Sequence, residues 1–141
     1  MSGFEVVMTS LRGTPTAVGS AGPYSLVADR PKEAGGGGLG FNGGQLLNLA
    51  VAGCVSNDLF REAAKRGIAI REVRVRVTSD YVGDPAVSTP IEYEVQIEGD
   101  AEPDVLERLV RETDVIAEIP NSLRRGTEVV LQRVAAENAQ S

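Results

Sequence analysis

The stretch that most restricts the fold is residues 45–57, QLLNLAVAGCVSN, thirteen positions without a charge. It reads as a helix with apolar residues on every side, leaving no face for water. A two-layer domain covers only one stripe of a helix. Cover all round therefore predicts a homodimer, with the central helices of two copies buried against each other. The same stretch carries Cys54, the only cysteine, and the chain contains no histidine. Any enzyme built on a side-chain nucleophile is thus led toward a thiol that works without an imidazole base.

Several chemistries are excluded on that ground. Ser-His-Asp and Cys-His hydrolases need an imidazole to take the proton of the nucleophile. Zinc sites need clustered cysteine and histidine, and no loop has the alternating acidic spacing of a calcium site. No metal and no cofactor is expected. With 14 Lys and Arg against 20 Asp and Glu, the net charge is −6, and no basic patch is present to hold phosphate backbones. Nucleic acid is not an expected partner, and neither is a membrane, because no apolar run approaches the roughly 20 residues of a span. The opening residues do not read as a secretory signal, and a lone cysteine suits a reducing compartment. One cytoplasmic domain over residues 1–141 is the expectation, with a polar tail over about 136–141.

Periodicity orders the elements. Residues 4–11 read as a first strand, 16–18 as a second and 24–29 as a third, with turns at Gly13–Pro15 and over 19–23. A helix runs from near Gly44 to Arg66 and ends at Gly67. In its second half Asp58, Arg61, Glu62, Lys65 and Arg66 are expected in water, and Leu59, Phe60 and Ala63 inside. Val73, Val75 and Val77, then Ile91, Tyr93, Val95 and Ile97, alternate with polar residues as an antiparallel pair joined by residues 83–89. Pro103 opens a second helix. Residues 119–122 break it and restart a short one that ends at Gly126, and 127–134 read as a last strand. The fold class is α+β.

Residues 34–44 hold seven glycines, and Gly38-Leu-Gly-Phe-Asn-Gly43 satisfies G-x-G-x-x-G ahead of a helix. The βαβ unit that such a loop requires is missing, and Glu62, about twenty positions on, lies inside the same helix. The glycines read instead as a loop lying over the helix start and the partner subunit.

These features together resemble the OsmC/Ohr family of organic hydroperoxide reductases. The family's central helix opens Asn-Pro-Glu-Gln/Glu-Leu and continues to Ala-Ala-Cys. Here the stretch reads Asn42-Gly43-Gly44-Gln45-Leu46 and continues to Ala52-Gly53-Cys54. The family's Cys-Pro-x-Ser, opening the last helix, corresponds to Ile119-Pro120-Asn121-Ser122. The resemblance spans essentially the whole chain and implies antiparallel sheets around a long central helix in an intertwined homodimer.

The resemblance also implies a chemistry. A cysteine attacks the hydroperoxide, an arginine from the meander holds it as thiolate, a glutamate orients that arginine, and a second cysteine resolves the product. Cys54 matches the first position and Arg12 the second, with Arg30 as the fallback cation. Gly44 stands at the glutamate position and Ile119 at the resolving one. The implied activity is reduction of organic or fatty hydroperoxides through Cys54 alone, recycled by an external thiol. The alternative is an accessory protein without catalysis, holding an apolar ligand at the dimer interface in the room left by Gly44. Mid-helix burial among Leu, Val and Ala disfavours a thiolate, so a nearby cation is what separates the two.

Overall fold

The computed structural model describes residues 3–140; Met1, Ser2 and Ser141 lie outside it. Strands β1 (Val7–Ser10), β2 (Ala17–Ala21) and β3 (Tyr24–Ala28) form the expected antiparallel meander. Gly13 and Gly22 turn the chain at φ of 77° and 57°, where a side chain would be strained. β2 runs on through Gly19, which the sequence suggests as part of a turn. A Cβ there would come within 2.9 Å of the Met8 side chain, so this glycine makes room for a neighbouring strand. Val7, Met8, Leu26 and Val27 of the meander are exposed. Among the described residues its main packing is between its own strands.

The central helix α1 (Gly43–Lys65) begins with a reciprocal cap. Gln45 N–H donates to Asn42 Oδ1 at 2.9 Å, and Asn42 N–H donates to Gln45 Oε1 at 3.0 Å. Gly67, at φ 68°, lies just past its end as expected. α1 packs on β4 (Ile70–Thr78), α2 (Pro103–Ile116) and α3 (Glu118–Arg124). Val55, Leu59, Ala63, Leu109 and Ala117 form the core.

Phe60, expected inside, is 47% exposed, and two charged positions of α1 are corrected as well. Within one chain the helix is covered on one side only, and Leu49, Ala50, Gly53, Asn57 and Phe60 are exposed at helical spacing. Asp58 and Glu62, expected in water, are buried at 7% and 8% exposure. Arg61 lies 3.1 Å from Asp58, and Lys65 lies 3.0 Å from Glu62. Both carboxylates are therefore paired beneath longer side chains that reach water.

β4 pairs antiparallel with β7 (Glu92–Gly99), with Val73, Val75 and Val77 opposite Ile97, Val95 and Tyr93. Arg76 stands opposite Glu94 on the outer face, an exposed pair 4.0 Å apart worth at most about 1 kcal/mol. Between β4 and β7 the chain forms a small hairpin, β5 (Tyr81–Val82) with β6 (Val87–Ser88), whose first strand precedes the expected loop.

Residues 127–134 do not form the expected strand; they take no regular structure within the chain. Val129, Val130, Leu131 and Val134 are all exposed, Val129 at 95%. β-favouring residues make a strand only where an edge offers hydrogen bonds, and this segment pairs with no strand of its own chain.

A polar cluster ties β7 to the last two helices. The Tyr93 hydroxyl donates to Asp114, and Arg124 donates to the same carboxylate at 2.6 Å. Burial pushes the Tyr93 hydroxyl up, and the Asp114 charge pushes it further the same way. For Asp114, burial raises the carboxyl, but the Tyr93 and Arg124 hydrogen bonds outweigh it and leave it below its ordinary 3.8. Its stabilisation is thus complete above about pH 3.8 and is lost as pH falls further. The Asp114 side chain is 37% exposed, so Asp114→Ala should cost only about 1–2 kcal/mol in urea unfolding at pH 7. The gap between variant and parent should close below pH 4.

Candidate functional site

Cys54 sits in the fourth turn of α1, partly buried against the core. Two groups meet its sulfur. The backbone N–H of Ile119, at the start of α3, donates to Sγ at 3.5 Å. On the other side, Sγ donates to Asp58 Oδ2 at 3.7 Å. Asp58 is one helical turn further along α1, the i,i+4 spacing that stacks side chains on one face. Its second oxygen is held by Arg61 at 3.1 Å. The Arg61 guanidinium is kept firmly protonated by its hydrogen bond to Glu62, aided by the charges of Asp58 and Glu118.

Ile119, the position read as that of the resolving cysteine, is thus in contact with Cys54 through its backbone. Position 44 is also accounted for. A Cβ on Gly44 would lie 2.9 Å from the Tyr81 ring, so the space expected there is closed by an aromatic from β5. The two candidate cations are elsewhere. Arg12 is exposed in the turn after β1, and no ion pair or hydrogen bond joins it to Cys54 within the chain. Arg30 donates from Nε to the Ala34 carbonyl at 3.1 Å, inside its own loop. The cation nearest the thiol in hydrogen-bonded sequence is Arg61, acting through Asp58. Sequence reading missed Asp58 by placing it in water and gave Arg61, exposed as expected, no role; the Cys-x-x-x-Asp spacing was the signal that could have found the pair.

The glycine loop is held by another residue that the sequence reading passed over. Asp29 is buried and accepts from the Thr16 hydroxyl at 2.8 Å and from the N–H groups of Arg30, Gly37 and Leu39. Burial pushes its carboxyl up, and these four donors together outweigh that and hold it below the usual range. Amides that could cradle a phosphate are therefore spent on an internal carboxylate. Gly36 and Gly40 permit close approach, since a Cβ on either would fall within about 2.2 Å of a carbonyl oxygen.

A groove of about 460 Å³ is lined by Leu47 and Val51 of α1, Pro90 and Ile91, and Pro120 and Arg124 of α3 among others; Cys54 itself is not part of its lining. Leu47, Val51 and Cys54 follow one another along one face of α1, and Pro120 adjoins Ile119. No described helix is long and apolar enough to cross a membrane.

Comparison with known proteins agrees with this architecture. An OsmC-like protein from Mycoplasma pneumoniae has the same fold, with a TM-score of 0.75 at 15% identity over 89% of each chain. The organic hydroperoxide resistance protein OsmC from Legionella pneumophila gives 0.63 at 17% identity, covering 88% of this chain and 92% of that one. The organic hydroperoxide resistance protein of Bacillus subtilis gives 0.62 at 18%, covering 87% and 91%. No curated protein matches the chain. The family model described as OsmC-like protein matches residues 35–132, from the glycine loop to beyond α3. With that model spanning well over half of the sequence, the chain belongs to the OsmC-like family.

Proposed function

We propose that this protein reduces organic hydroperoxides through Cys54 in a one-cysteine cycle, as a homodimer in a reducing, cytoplasmic compartment. The observation that carries this reading is the contact between Cys54 Sγ and the Ile119 backbone. The thiol sits beside the position where a resolving sulfur would stand, and an isoleucine occupies that position. The sulfur attacks the terminal peroxide oxygen, so that Cys–SH and ROOH give Cys–SOH and ROH. An external thiol then displaces water to form a mixed disulfide, and a second thiol releases Cys54. The largely apolar groove that begins at Val51, one turn before Cys54 on α1, favours greasy substrates over hydrogen peroxide. The names of the Legionella and Bacillus relatives, organic hydroperoxide resistance proteins, support the substrate class.

A length supports the dimer. Residues 44 and 54 are ten apart, about 15 Å along a helix, so groups at the start of α1 cannot serve Cys54 of their own chain. A second α1 crossing antiparallel at position 49 puts the start of one helix beside Cys54 of the other. Leu49, Ala50 and Gly53 are the exposed residues there. The exposed meander would then wrap the second copy, bringing Arg12 to that copy's thiol. Arg12→Ala should slow iodoacetamide alkylation of Cys54 at pH 7, by about tenfold if one charge contact is lost. At pH 10, where thiols ionise unaided, the variant and parent should react alike. Equal rates at pH 7 would remove Arg12 from the site.

One observation favours the non-catalytic reading: the buried Asp58 carboxylate faces the sulfur and opposes a thiolate by charge. A thiol inert to cumene hydroperoxide but shielded from alkylation by an apolar ligand would support that role.

A further inference from the structure

Resting on the hydroperoxide reading, we propose that Asp58 is the catalytic proton carrier of the site, taking the thiol proton and delivering it to the departing alkoxide. The juxtaposition is specific to this pair. Asp58 is buried at 7% exposure. Arg61 occupies Oδ1 at 3.1 Å, and Oδ2 is turned to Sγ at 3.7 Å. A carboxylate with one oxygen tied to a guanidinium has the other free to accept a proton. The chain offers no imidazole for this task.

The charge balance explains why an acid beside the thiol need not silence it. A thiolate facing an ionised Asp58 would be two like charges at close range. If the proton passes to Oδ2 as sulfur attacks, the two groups never carry charge together, and the Ile119 N–H stands 3.5 Å from sulfur on its other side. Arg61 remains beside the carboxyl throughout and is held from its other side by Glu62.

The step then balances. The sulfur lone pair forms an S–O bond to the terminal oxygen of ROOH as the O–O bond breaks. Sulfur is oxidised by two electrons, and the peroxide is reduced by two. The alkoxide RO⁻ takes the proton held by Asp58, and the carboxylate is restored. An alkoxide is a strong base and a poor leaving group, so protonation in the transition state is where catalysis is needed. The site is thereby suited to alkyl hydroperoxides. A peracid, whose carboxylate leaves as an anion, needs the relay only to take the thiol proton and gains nothing from its second half.

That contrast supplies the test. Asp58→Asn keeps the shape and presents a neutral group, so the thiolate can still form by losing its proton to water. With cumene hydroperoxide the variant should be slower by about a hundredfold or more, and with peracetic acid, which needs only the first proton transfer, the loss should be smaller by at least about tenfold. Asp58→Glu, which keeps the carboxyl, should recover part of the cumene hydroperoxide rate. Equal loss toward both oxidants would make Asp58 a structural residue and overturn the proposal, as would unchanged rates toward both. A parent protein that reduces neither oxidant would overturn the hydroperoxide reading itself, an outcome separate from any effect of the variant.

Discussion

Cys54→Ser should abolish peroxide reduction, lowering the turnover of cumene hydroperoxide to the rate seen without protein. A hydroxyl cannot be oxidised to the sulfenic state, and no second cysteine is available to substitute for the thiol. Losing a nucleophile that acts within a unit removes nearly all of the chemical acceleration, a loss of several powers of ten in other enzymes. The fold should survive. Cys54 lies at the margin of the core, which is centred on Val55, Leu59 and Leu109, and serine conserves its size. The circular dichroism spectrum and the melting curve should stay close to those of the parent. Residual activity in the serine variant would place the chemistry elsewhere.

Leu49→Asp should convert the dimer to a monomer and silence the site together. Within one chain Leu49 is 48% exposed, so a charge there should change the stability of the isolated fold by no more than about 0.5 kcal/mol. At an antiparallel crossing centred on position 49, two aspartates would meet in an apolar interface, a like-charge contact costing several kcal/mol. Size exclusion with light scattering should then give 14.9 kDa for the variant and twice that for the parent. Co-expressing Arg12→Ala with Cys54→Ser sharpens the point. If the two residues of a site come from different copies, each mixed dimer regains one intact site, although both pure variants are impaired. A parent protein that is itself a 14.9 kDa monomer would sink this account of the site.

How much of this was legible in the sequence follows from which interactions are local. The α1 boundaries, Asn42 through Gly67, are written in caps that involve neighbours in the chain. The β4–β7 pair is written in strict alternation. The meander could be read from its turn residues, although Gly19 serves packing against Met8. Cys54 and its neighbour Ile119 were reached through resemblance, because nothing in the spacing of residues 54 and 119 reveals that they touch. Asp58 and Glu62 were misread because charge predicts exposure only when no partner is at hand. Arg61 and Lys65 pair with them from the same helix and allow burial. Residues 127–134 were misread for the opposite reason: strand propensity is intrinsic, but a strand needs an edge that this chain does not provide by itself. Asp29 gave no pattern, since its four donors are gathered from a turn and a loop.

The most direct test of the central claim is the mass of the intact parent protein after one equivalent of cumene hydroperoxide in the presence of dimedone. The account predicts a single dimedone adduct, located at Cys54 by peptide mapping, with one equivalent of the alcohol formed per thiol consumed. An unmodified protein, with the hydroperoxide still present, would contradict it.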